Sequence, residues 1–90
     1  MEIKTMVETQ KSVLVVEDEK DLAEVVCFNL EREGYATRRA FAGDAALAEI
    51  KRDPPDLIVL DRMLPKMSGD EVASEVRRDP ATASIPATSS

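Results

Sequence analysis

Histidine and tryptophan are absent from this ninety-residue chain, cysteine occurs once, as Cys27, and the aromatic residues number three, one Tyr and two Phe. Without histidine the commonest nitrogen ligand of zinc and the softer metals is missing. One cysteine allows no intramolecular disulfide. No apolar run approaches the roughly 18 residues that a transmembrane helix needs. No basic start followed by an apolar stretch and small residues marks a signal peptide, so a cytoplasmic protein is expected. A positive field is missing too: 12 basic residues stand against 18 acidic ones, for a net charge of −6. That balance argues against direct binding of nucleic acid, whose phosphates call for a basic surface. The length leaves room for one domain only. With so few aromatics its core rests on Val, Ile, Leu, Met and Ala, and a chain this short buries only about 60–65% of its unfolded surface.

What is present alternates in a regular way. Residues 1–11 form a polar leader, and Ser12-Val13-Leu14-Val15-Val16 is then continuously apolar and β-branched, as a strand covered on both faces should be. It ends at Glu17-Asp18-Glu19. From Asp21 to Glu33 the residues Leu22, Val25, Val26, Cys27 and Leu30 recur at helical spacing, and Gly34 stands where a left-handed C-terminal cap is wanted. Tyr35 to Ala40 mixes polar and apolar residues like an exposed edge strand. Gly43-Asp44 opens a second helix, with Asp44 expected to cap its free amides and Pro54-Pro55 to end it. Asp56-Leu57-Ile58-Val59-Leu60 repeats the first apolar run and again stops at an acid, Asp61. Ser68-Gly69-Asp70-Glu71 has the spacing of a capping box, Val72 and Val76 follow on one face, and Pro80 closes the third helix. Strands alternating with helices predict βαβ units, hence an α/β fold with a doubly wound parallel sheet.

In such sheets the carboxyl ends of the strands lie along one edge, where ligands gather. Both buried strands finish in carboxylates, so Glu17, Asp18 and Asp61 are expected to converge on one acidic pocket. Carboxylates with room for water suit a hard cation, and Mg²⁺ typically binds through one or two of them while leaving positions for water and phosphoryl oxygens. The bland alternative is that acids at strand ends merely solubilise a turn. Cys27, on the apolar side of its helix, is read as a core thiol and not a reactive one.

Val13-Leu14-Val15-Val16-Glu17-Asp18-Glu19, together with Asp61-Arg62-Met63-Leu64-Pro65-Lys66-Met67-Ser68-Gly69 and the Gly34-Tyr35 turn, resembles the receiver domain of bacterial response regulators, in particular the phosphate-regulon transcriptional regulators. The likeness runs from about residue 12 to Pro86. It implies a flavodoxin-like sheet of order 2-1-3-4-5. It implies further that Asp61 accepts a phosphoryl group from a sensor histidine kinase in the presence of Mg²⁺. Asp18 would then be a direct metal ligand, Glu17 a ligand through water, and Met63 a ligand through its backbone carbonyl, its side chain being free for packing. Pro65 and Gly69 would shape the loop.

The likeness is incomplete at its far end. The family pattern continues with a fourth strand leading to a switch hydroxyl and a fifth strand bearing a lysine, whereas residues 87–90 look too polar for a core strand and read as a frayed end. The domain is therefore expected to be a truncated receiver, 12–86, with neither switch hydroxyl nor lysine. Three functions compete: a phosphoacceptor domain, not a turnover enzyme; an interaction or dimerisation module derived from a receiver and independent of phosphorylation; and an aspartyl phosphatase of the haloacid dehalogenase type. The last wants a second acid two residues after its nucleophile, where Met63 stands. Loss of cover on the sheet predicts a homodimer that uses the helix from Asp21 to Glu33 or the segment after Pro80.

Overall fold

A computed structural model describes residues 10–61 and 63–89 of the chain. All but the last two residues of the polar leader expected at 1–11 lie outside the described residues, as do Arg62 and Ser90. Among the described residues seven elements follow in order: β1 (Ser12–Val16), α1 (Lys20–Arg32), β2 (Ala36–Ala40), α2 (Gly43–Arg52), β3 (Leu57–Leu60), α3 (Gly69–Arg78) and β4 (Ala87–Ser89). The strands form one parallel sheet of order β2-β1-β3-β4. This is the flavodoxin-like order expected, as far as the fourth strand.

The continuous apolar runs explain the two-sided sheet. Successive side chains of a strand point to opposite faces, so Leu14, Val16, Ile58 and Leu60 face α2 and α3, where Ile50, Val72 and Val76 close a buried cluster. Val13 and Val15 go the other way and meet Ala23 and Cys27 of α1. The two faces are unequally covered. Ile58 and Leu60 are buried, whereas Leu57 and Val59, turned toward the side that α1 covers among the described residues, are half-buried.

Several local expectations hold in detail. Gly34 takes φ 100°, and the amides of Gly34 and Tyr35 donate to the carbonyls of Glu31 and Leu30, the paired bonds of a Schellman C-cap. Ser68 and Glu71 form the reciprocal capping box at the start of α3. Cys27 is buried.

Three expectations need correction. The buried stripe of α1 is Ala23, Val26, Cys27 and Leu30, while Leu22 and Val25 are exposed, because a small alanine lets the helix lie close to the sheet and sets its rotation. Asp44 is not the N-cap of α2: the helix begins at Gly43, its N-cap is Ala42 without a side-chain bond, and Asp44, one position inside, accepts the free first-turn amide of Ala45. Finally, Ala87–Ser89 is a strand despite its polarity. It pairs with Ile58, Val59 and Leu60 through the backbone, which an edge position permits without apolar side chains.

Candidate functional site

The site is a product of strand register. Val16 pairs with Leu60, so the next residue on each strand, Glu17 and Asp61, emerges side by side at the same edge of the sheet. Two backbone bonds extend the ladder beyond the strands: the Glu17 amide donates to the Ala40 carbonyl and the Asp61 amide to the Val16 carbonyl, both at 3.0 Å. Asp18 follows before α1 begins. One carboxylate oxygen each from Glu17, Asp18 and Asp61 lies within 4.8 Å of the others. The three acids expected to converge therefore do so.

Their environments differ. Glu17 is buried, Asp61 half-buried and Asp18 exposed. Burial raises the proton affinity of Glu17 above the ordinary carboxylate value of 4.5; a hydrogen bond from the Glu19 amide opposes that rise, and the negative charge of Asp61 adds to it. Among the described residues, no Lys or Arg forms an ion pair with any of the three. A buried carboxylate beside two others, with no cation paired to them among the described residues, is a donor set suited to a hard divalent ion. Asp18 is exposed, so the cluster is open to water on that side.

Met63 is tied to the site through its backbone. Its amide donates to Asp61 Oδ1 at 3.2 Å, a turn closed by the acid itself. The side chain, expected to be available for packing, is 82% exposed and packs on nothing in the core. Pro65 accepts from the Met67 amide at 2.7 Å, with Lys66 between them at φ 70°. Gly69 is buried at the first position of α3. Sequence reasoning took Gly43 only for a helix start. In the fold it lies beneath Met67 of this same loop, a tertiary contact with no local signal beyond a glycine at a helix's first turn.

Comparison with known proteins bears on this arrangement directly. Residues 13–90 match the response regulator receiver domain family. The chain is 46% identical over 68 residues to the alkaline phosphatase synthesis transcriptional regulatory protein PhoP of Bacillus subtilis (strain 168), an alignment covering 76% of this chain and 28% of that protein. Among solved structures it resembles the N-terminal domain of a response regulator receiver protein from Methanoculleus marisnigri JR1, with a TM-score of 0.84 and 38% identity over 88% of this chain and 64% of that one. It also resembles the receiver domain of the Francisella response regulator 1452, with a TM-score of 0.82 and 30% identity over 89% and 64% of the two chains. The chain thus spans little more than a quarter of the regulator it matches and just under two thirds of these solved domains. Sheet order, acidic strand ends and these likenesses agree: the chain belongs to the response regulator receiver domain family.

Proposed function

We propose that the chain is the phosphoacceptor domain of a two-component response regulator, taking a phosphoryl group on Asp61 from a sensor histidine kinase in the cytoplasm. The observation that carries this reading is the register of β1 against β3, which gathers Glu17, Asp18 and Asp61 within 4.8 Å at the carboxyl edge of the sheet. In the transfer, an Asp61 carboxylate oxygen attacks phosphorus in line, the new P–O bond forms as the P–N bond to the donor imidazole breaks, and the imidazole leaves with the bonding pair. A carboxylate is a weak nucleophile, so positioning and charge neutralisation matter more than basicity. Mg²⁺ would supply that neutralisation, held by Asp18 and Asp61 directly, by Glu17 through water and by the Met63 carbonyl. The residues do the rest. The Met63 amide fixes one Asp61 oxygen and leaves the other for attack, and the Glu19 amide orients Glu17.

Receiver domains signal; they are not turnover enzymes. Partner contacts therefore matter to the reading, and we place a self-association surface on α1. Leu22, Val25 and Phe28 are 48%, 56% and 59% exposed there, beside the half-covered Leu57 and Val59 face. Among the described residues no helix is long and apolar enough to cross a membrane.

Labelling by acetyl phosphate tests the assignment. Intact-mass measurement should show one added phosphoryl group on the wild type in Mg²⁺, none in chelator and none on Asp61→Asn. Equal labelling of Asp61→Asn would overturn it.

A further inference from the structure

The segment between Asp61 and Ser68 is pinned at both ends by its own residues, through the Asp61–Met63 turn and the Ser68 capping box. Its middle is held by a different part of the chain. A Cβ placed on Gly43 would lie 2.7 Å from Met67 Cβ and 3.1 Å from its carbonyl carbon, with the carbonyl oxygen closer still. No real side chain sits so near its neighbours, so the Met67 backbone rests directly on the bare first turn of α2. The same stretch contains the one non-glycine positive φ among the described residues, at Lys66. With the Pro65–Met67 bond across it, Lys66 is the centre of a γ-turn of the rarer, strained hand. Strain of this kind persists where the surroundings over-determine the backbone, and it gathers beside functional sites. Met67 itself packs against the buried cluster on this face, and Lys66 Nζ reaches Asp44 Oδ2, next to Gly43, at 4.0 Å.

We propose that Gly43 is a positioning residue for the site: it seats Met67, holds Lys66 in its strained turn, and so fixes Met63 relative to Asp61. This inference rests on the phosphoacceptor reading for its consequence but not for its geometry. A methyl group at 43 must push the Met67 carbonyl oxygen, its tightest contact, away by about 1 Å to reach ordinary contact. Mg²⁺ demands near-ideal octahedral geometry, and misplacement by about 1 Å from outside a site can cost a hundredfold in rate.

The test uses the ninety-residue chain and three variants. Gly43→Ala displaces the seat. Met67→Gly removes atoms instead of adding them, and so frees the loop without crowding the helix. Ala46→Gly loosens the same helix one turn on, at a buried position that faces the core. Mg²⁺ affinity by calorimetry and the rate of labelling by acetyl phosphate should each fall tenfold or more in Gly43→Ala and at least several-fold in Met67→Gly, while Ala46→Gly stays within twofold of wild type. In the metal-free protein, the Met63 amide resonance should move in the first two variants and not in the third. Wild-type affinity in both loop variants, with an unmoved Met63 amide, overturns the proposal, and so does an equal loss in Ala46→Gly. Should the wild type bind no Mg²⁺, the phosphoacceptor reading fails alone, and the Met63 resonance still decides whether Gly43 positions the loop.

Discussion

Replacing Asp18 by Asn should stabilise the metal-free protein and abolish its response to Mg²⁺. Two like-charge contacts are removed, to Glu17 and to Asp61, over at most 4.8 Å between carboxylate oxygens. Asp18 is exposed, so a water-like dielectric applies, and each contact is worth about 1 kcal/mol of repulsion. Glu17 and Asp18 are neighbours in the unfolded chain as well, so that part of the repulsion survives unfolding. The Asp18–Asp61 contact exists only in the fold. The net gain for Asp18→Asn is therefore about 1 kcal/mol, which for a domain of this size raises Tm by about 4–8 °C. In the wild type, Mg²⁺ at ten times its Kd adds RT ln 11, about 1.4 kcal/mol, or roughly 6–11 °C. Circular-dichroism melts at low ionic strength, with chelator and then across millimolar Mg²⁺, measure both effects. Added NaCl should shrink the Asp18→Asn gain, since exposed charges are screened within about 10 Å at 0.1 M. A wild-type Tm unmoved by Mg²⁺, or a metal-free Asp18→Asn that melts below wild type, would refute the reasoning.

Further outcomes follow from the same geometry. Because burial holds the Glu17 proton affinity above 4.5, its contribution to stability is fully present below that pH and is lost as pH rises through the raised value. Relative to Glu17→Gln, the metal-free wild type should therefore lose Tm between about pH 4.5 and neutrality; a relative gain over that span rejects the assignment. Ile58→Ala, at a fully buried position beneath α2 and α3, should cost about 2–5 kcal/mol in urea unfolding, whereas Met63→Ala, at an exposed side chain, should stay within about 0.5 kcal/mol. Light scattering coupled to size exclusion should give the ninety-residue chain a mass above 9.9 kDa that falls on dilution, and Phe28→Asp should shift it toward the monomer. A monodisperse monomer at every concentration would remove α1 as a contact surface.

What was legible in the sequence, and what was not, divides along the range of the interactions. The two central strands were visible because burial on both faces forces Val13 to Val16 and Leu57 to Leu60 to be apolar at every position, not at alternate ones. The site followed from them: once two parallel strands end in acids, one register, Val16 against Leu60, suffices to bring the carboxylates together. The Gly34 cap and the Ser68 box were equally legible, since each is closed by residues within a few positions of one another. β4 was hidden because its pairing is made by backbone groups that every residue carries, so the composition of Ala87–Ser89 says little about it. The rotation of α1 was hidden for a related reason: Leu22 and Val25 are as apolar as Val26 and Leu30, and only the close approach allowed by Ala23 decides which stripe faces the sheet. Gly43 is the sharpest case. At a helix start a glycine satisfies local rules and invites no further explanation, yet its missing side chain is filled by Met67, twenty-four positions on. Local chemistry thus places the acids, while the course of the loop that follows Asp61 is set by a contact that becomes visible only after the chain has folded.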